Sequence, residues 1–399
     1  MVETQLPLTH QKLLDYFNSV RQYTEDMCAP LAIEDYVPQP VPFASPPKWH
    51  LAHTTWFFEE FVLKIYQPSY QIFHKDFSFL FNSYYNAVGD RIFRANRGNI
   101  TRPSVQEVYA YRAHVNAAMN QLITNGKLNA NIEKTIILGL NHEQQHQELL
   151  ITDLKHTFGG NPTFPVYKQD YSLVQQYNKP KDETWVPLKE GIYSIGYGGD
   201  GFHWDNELGQ HKVYLHETKL SKSLVTNGEF LAFIEDKGYQ RFDLWLDEGW
   251  SWVNENQAKA PLYWHKIKDQ WYYYTLSGLQ KVDANAILCH INFFEAAAFA
   301  EWKGMRLPTE FEWEAAASQL DWGTRWEWTN SAYLPYPGFQ TAEGAIGEYN
   351  GKFMVNQKVL RGASTATSPH HSRKTYRNFF HTHLQWQCTG IRLAQAHSL

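Results

Sequence analysis

Residues 130–158 read ANIEKTIILGLNHEQQHQELLITDLKHTF, with apolar side chains at three- and four-residue spacing and no proline. The spacing predicts one long helix, closed by Gly159-Gly160-Asn161-Pro162. His142 and His146 stand four residues apart, so both imidazoles project from one face and can share one ion. The string from His142 to His146 is also a literal H-E-x-x-H, the zinc-protease pattern of two histidine ligands and a glutamate base. That pattern needs a third ligand downstream. One class wants Gly seven and His ten positions past the first histidine, where Leu149 and Thr152 stand. The other wants a glutamate on a later helix, and GGNPTFPVYKQDY (159–171) offers none. A protease is therefore poorly supported.

Upstream, KWHLAHTTWFFEE (48–60) begins another helical run and carries His50 and His53. Either one completes a three-imidazole set with His142 and His146. Three neutral imidazoles leave coordination positions open, which suits zinc with a bound water or a non-haem iron. Spacing alone selects neither the third ligand nor the metal. Two more helices fit 10–27, with Thr9 as N-cap, and 102–125, with Pro103 in the first turn and Gly126 past the end. Four helices in the first part read as a bundle, whose interior is a recurrent metal site.

Beyond QQYNKPKDETW (175–185) the chain becomes rich in Gly, Trp and turns, with short alternating runs such as GIYSIGYGG and HKVYLHETKL. Helical stretches interrupt it at 226–238 and 293–304, and RWEWTNSAYLPYPGF (325–339) reads as a long irregular connection. The expected organisation is a helical metal-binding domain over 1–165, a linker over 166–182 and a substrate domain over 183–399.

Composition bounds the function. Of the 399 residues, 43% are hydrophobic and 19% charged, a globular balance. The net charge of −5 and the lack of a basic run argue against nucleic-acid binding. No apolar run approaches a membrane span, and the N-terminus carries no signal-peptide pattern. Cys28, Cys289 and Cys388 are too scattered for a disulfide framework and suggest a reducing cytoplasm.

Several motifs in order carry a family resemblance. SPPKWHLAHTTWFFEEFVL (45–63) and NHEQQHQELLITDLKH (141–156) resemble the DinB-like helical domain of the EgtB-type sulfoxide synthases of ergothioneine biosynthesis. MRLPTEFEWEAAA (305–317), RWEWTNSAYLPYPGF and VLRGASTATSPHHSRKTYRNFF (359–380), with GIRLA (390–394), resemble their second domain. That domain is C-type-lectin-like and related to formylglycine-generating enzymes. The resemblance implies an α+β two-domain fold, a four-helix bundle followed by the lectin-like domain. It further implies an iron(II) enzyme that uses O2 to join a thiol sulfur to the imidazole C2 of trimethylhistidine (hercynine), leaving a sulfoxide.

On this resemblance the iron ligands are His53, His142 and His146, and His50 is not needed for metal. Gln145 hydrogen-bonds the substrate imidazole, which suits an amide that both donates and accepts. Tyr84 and Tyr85 match the branch whose catalytic tyrosines come from the helical domain, where a phenol donates a proton. Arg91 and Arg94 bind the carboxylate of the thiol substrate. Asn378, Phe379 and Phe380 line the pocket for the betaine, whose quaternary ammonium suits aromatic faces. Where relatives place Trp-Asp and an arginine that hold gamma-glutamylcysteine, this chain has Phe379-Phe380 and no such arginine, which favours cysteine. Cys388 stands alone in its region, against the cysteine-pair chemistry of formylglycine-generating enzymes, and Arg306 and Glu310 read as buried polar pairing. Rival readings are a histidine or selenium donor as substrate, a zinc-dependent DinB-like thiol transferase, and a non-catalytic binder. The oligomeric state is open.

Overall fold

The computed structural model describes residues 9–83, 85, 88–179, 184–341 and 350–396. Its first half is a bundle of α1 (His10–Cys28), α2 (Pro47–Phe58), α3 (Val105–Asn125) and α4 (Ala130–Gly159). Thr9 caps α1 by accepting from the Lys12 N–H. Gly126 follows α3, at a point where a Cβ would meet Leu122 O at 2.2 Å. The start of α3 departs from expectation. Pro103 lies outside the helix, and Ser104 and Glu107 close a reciprocal cap that satisfies two N–H groups.

Every residue of α2 is buried, the mark of a helix packed on all sides. Its end widens into a π-turn over Glu59–Leu63, and the buried Glu59 accepts from the Tyr70 and Tyr111 hydroxyls. Helix α4 is roughly 45 Å long at 1.5 Å per residue.

The second half is built from short strands and helices. β1 (Trp185–Leu188), β2 (Gly191–Ile195), β3 (His211–Leu215) and β4 (Thr218–Ser221) form two antiparallel pairs, β1 with β4 and β2 with β3. β5 (Trp264–Ile267), β6 (Gln270–Thr275) and β7 (Gly278–Lys281) make a meander. β8 (Trp326–Ala332), β9 (Gln357–Gly362), β10 (Asn378–His381) and β11 (Thr389–Gly390) form a sheet ordered β10-β9-β8-β11, with β11 parallel to β8. Helices α5 (Asn227–Glu235) and α7 (Phe293–Trp302) are the two expected ones; α6 (Asp247–Asn256) and α8 (Glu310–Ala316) are additional. Strand β8 occupies part of the stretch read as an irregular connection. Its first four residues are all buried, so no in–out alternation betrays the strand.

With so much irregular backbone, this half is pinned by buried charge pairs. Glu310 binds Arg377 and Arg361, Glu314 binds Arg361, and Glu327 binds Arg392. Arg306 pairs with Glu312 rather than Glu310, so the two residues of the RLPTE motif enter separate ion pairs. These bonds tie α8 to β9 and hold the segments just before β10 and just after β11.

The expected linker is tied down where it is described. The Tyr167 N–H bonds Leu276 O and its hydroxyl bonds Met27 O, while Leu173 and Val174 are buried. Among the described residues no helix is long and apolar enough to cross a membrane.

The later half of α4 docks onto the second half of the chain. Glu148 accepts from Trp326 Nε1, Ser364 Oγ and Thr367 Oγ1; Gln147 accepts from Ser368; and Gln387 donates to Thr152.

Candidate metal centre

His53 from α2 and His142 and His146 from α4 meet in the bundle interior, their donor atoms within 4.8 Å of one another. All three are essentially fully buried or, for His146, largely so, and their ring centroids lie 4.6–5.0 Å apart. Burial, reinforced by neighbouring positive charge, holds His53 and His146 well below the usual imidazole range. Burial brings His142 down to about 4. Neutral imidazoles are the form that ligates.

Second contacts orient two of the rings. His53 Nδ1–H donates to Phe81 O at 2.6 Å, which leaves its Nε2 lone pair directed into the cluster with no hydrogen-bond partner among the described residues. The ring is clamped between Trp49 (4.4 Å, 16°) and Trp56 (5.4 Å, 18°), and the Arg97 guanidinium caps Trp49 at 3.4 Å. His146 is oriented by a relay. Asp153 Oδ2 accepts from His50 Nε2 at 3.2 Å, and His50 Nδ1 then accepts from His146 Nδ1–H at 2.9 Å. Asp153 is itself fixed by the Ser45 N–H and by Trp386 Nε1, both at 2.8 Å. A carboxylate behind a histidine is the usual support of a metal-ligating imidazole. Three neutral imidazoles, two of them held by second contacts, fit a single divalent ion with positions left open.

Glu143, the base of the protease pattern, faces away from the cluster. Its carboxylate bonds Arg21 (2.8 Å), Arg112 (2.6 Å) and Thr24 (2.6 Å), tying α4 to α1 and α3. Burial alone would push this acid up, but Arg112 and Arg21 outweigh it and hold it at about 2. A carboxylate so committed cannot take up a proton at neutral pH.

Gln145 projects on the other side, toward the second half of the chain. Its Nε2 donates to the hydroxyl of Tyr376, and its buried Oε1 has no hydrogen-bond partner among the described residues. Gln145, Asn378, Phe379 and Phe380 line one cleft of about 140 Å³ together with Trp204, Tyr376 and Gln387. Phe379 stacks on Tyr333 at 4.0 Å and Phe380 packs on Trp386 at 5.2 Å, so both rings are held.

The remaining expected residues lie apart from that cleft. Tyr85 is buried against Trp56 and Phe61, and Trp56 in turn stacks on His53. Tyr84 lies outside the described residues. Arg91 and Arg94 are exposed and donate to Ser83 O and Phe43 O. Arg97 of the same loop is the buried one, bonded to Ser45 and Ser83 side chains at 2.8 Å. Sequence reasoning missed Trp49, Trp56, Arg97, Asp153 and Tyr376. The first two carried a signal, since tryptophans four before and three after His53 share its helical face. Cys388 was read as standing alone, and the fold instead brings it to Cys289 and His290, donor atoms within 4.8 Å.

Comparison with known proteins divides the chain as the structure does. Residues 16–150 match the DinB superfamily, and residues 170–326 match the sulfatase-modifying factor enzyme 1-like domain. The chain is 26% identical over 356 residues to a hercynine oxygenase of Mycolicibacterium smegmatis, covering 75% of this chain and 80% of that one. To the hercynine oxygenase of Mycobacterium tuberculosis it is 25% identical over 307 residues, covering 64% and 70%. A formylglycine-generating enzyme of Streptomyces coelicolor is 29% identical over 156 residues, 36% of this chain and 49% of that one. The helical half is thus a DinB-superfamily domain and the second half a sulfatase-modifying factor enzyme 1-like domain, the two-domain organisation of an EgtB-type protein.

Proposed function

We propose that the chain is a non-haem iron(II) enzyme that uses O2 to join the sulfur of cysteine to the imidazole C2 of hercynine, giving hercynylcysteine sulfoxide. The observation that carries this reading is the adjacency of two sites. His146, in the cluster, and Gln145, at the wall of the aromatic cleft, are consecutive residues of α4. In this reading Gln145 brings the substrate imidazole toward the ion from the cleft side, one residue along α4 from the ligand His146.

In this reading His53, His142 and His146 hold iron(II), which supplies the binding and activation of oxygen. The chain's own residues do the rest. Gln145 Oε1 accepts the N–H of the substrate imidazole, and Tyr376 fixes the amide so that oxygen, not nitrogen, faces inward. Phe379 and Phe380 offer ring faces to the trimethylammonium group, which has no N–H to donate, and Asn378 offers its amide. Arg91 and Arg94 are assigned to the cysteine carboxylate, and Tyr84 and Tyr85 to proton donation. Packed aromatic walls exclude water from the reacting pair.

The test is incubation of iron(II)-loaded protein with hercynine and either cysteine or gamma-glutamylcysteine, with and without oxygen, read by product mass. Oxygen-dependent hercynylcysteine sulfoxide is expected, formed faster from cysteine. Full turnover by zinc-loaded protein without oxygen would sink the reading, and product from histidine or a selenium donor alone would change its substrate.

A further inference from the structure

A second cluster lies farther along α4, outside the site above. Cys289, His290 and Cys388 are buried, with donor atoms within 4.8 Å of one another. Lys155 of α4 reaches across and contacts His290 Nε2 at 2.6 Å, with its ammonium 4.4 Å from the Tyr263 ring. On the other side stands Arg325, fully buried, whose N–H groups go to the carbonyls of Leu288, Val174, Ile287, Leu173 and Thr324 and to the Thr365 hydroxyl. Among the described residues neither cation has a carboxylate partner.

Two buried positive charges without a carboxylate need a counter-charge, because an uncompensated buried ion is costly. The acids whose charge reaches Lys155 are the thiols of Cys289 and Cys388. Burial would raise Cys289, but its hydrogen bond with Cys388, the Arg325 charge and His290 outweigh burial and hold it below the usual thiol range. That same hydrogen bond, with burial, raises Cys388. Each thiol thus favours loss of a proton from the other, and the two cations favour a negative charge on the pair. A divalent ion fits poorly here, because Lys155 already occupies His290 Nε2 and both cations repel it. A cavity of about 10 Å³, lined by Cys289, His290, Lys155 and Tyr263, has room for about one water-sized molecule, which restricts an oxidant to about the size of hydrogen peroxide.

We propose that Cys289 and Cys388 are an oxidisable thiol pair, a modification site at the seam between the two domains that small hydroperoxides convert to a disulfide. The Cys289 thiolate attacks one peroxide oxygen, the O–O bond breaks, and the departing oxygen leaves as an alcohol or water after taking a proton. The resulting sulfenic acid is attacked by Cys388, which gives up its proton. The S–S bond forms and the hydroxyl leaves as water. Two electrons pass from the sulfur pair to the peroxide, so two thiols and one hydroperoxide yield one disulfide, one alcohol and one water.

The experiment treats the folded full-length chain with hydrogen peroxide, blocks remaining thiols under denaturing conditions, and maps cysteines by non-reducing peptide mass spectrometry. A Cys289–Cys388 linked peptide is expected while Cys28, buried and pushed up to about 12, stays a blockable thiol. The pair should react at least about 10-fold faster than Cys28, as thiolate character dictates. Cys388→Ser should stop at a sulfenic acid on Cys289 that dimedone captures, and Lys155→Met should slow oxidation of the pair. Oxidation of Cys28 as fast as the pair, or survival of both thiols until the chain unfolds, would overturn the proposal. So would zinc bound one to one in the purified chain and lost in Cys289→Ser, which would make the cluster a metal site.

Discussion

The histidine cluster and the Cys289–His290–Cys388 cluster are the same size, each with three donor atoms within 4.8 Å, and both press against α4. They differ in what surrounds them. Around the histidines, acceptors stand behind the rings: Phe81 O behind His53, and Asp153 behind His50 and His146. Around the cysteines stand Lys155 and Arg325, two cations. A donor triad alone therefore decides little. Acceptors behind neutral imidazoles build a seat for a cation, while cations around thiols build a seat for an anion.

The sharpest way to break this comparison is to remove one donor from each cluster. His142→Ala or His146→Ala should cut iron(II) affinity by more than about 100-fold, beyond the effect of losing an outer contact, whereas Cys289→Ser should leave iron content unchanged. Metal analysis after dialysis decides it, and equal losses would erase the distinction.

The next effect concerns stability. Glu143→Ala strands Arg21 in the core, leaves Arg112 with Glu25 as its carboxylate, and should cost about 3–5 kcal/mol in urea unfolding, the usual penalty for orphaning a buried charge. A variant as stable as the parent would free Glu143 for the catalytic role denied to it here.

The histidine cluster should also read pH. His142 sits at about 4 when folded and near its ordinary 6.5 when unfolded, so between these values the unfolded metal-free chain binds the extra proton. Stability is thus fully present above pH 6.5 and is lost as pH falls toward 4, by up to roughly 3 kcal/mol for this group. Denaturation of metal-free protein at several pH values checks the sign, and a flat profile would contradict it.

Smaller still is the relay. Asp153→Asn or His50→Phe leaves every donor in place yet should weaken iron(II) binding about 10–100-fold. Calorimetric titration would show it, and an unchanged affinity would make the relay a packing feature. Last, Tyr376→Phe removes one hydrogen bond to Gln145 and should raise the KM for hercynine by about 2- to 10-fold with kcat little changed.

Much of the helical half could be read directly. Thr9, Gly126 and the long apolar period of 130–158 set boundaries that local chemistry enforces. The two histidines were legible because helical spacing turns sequence offsets into directions, whereas Gln145 was singled out by the family resemblance. The second half was less so. Strand β8 begins Trp-Glu-Trp-Thr, buried on both faces and therefore without alternation. Asp153, Tyr376 and Arg97 act through partners distant in the chain, and the meeting of Cys289 with Cys388 comes from the placement of β11 alongside β8. No local pattern encodes such meetings.

Helix α4 keeps these meetings in phase. With 3.6 residues per turn, one extra residue between Gln147 and Thr152 would rotate everything beyond it by about 100°. Asp153 would swing away from His50, and Lys155 away from His290. The helix acts as a rigid shaft with its cams set at fixed angles and heights, so its length between His146 and Lys155 is fixed: even a whole added turn would carry Asp153 and Lys155 about 5.4 Å past their partners.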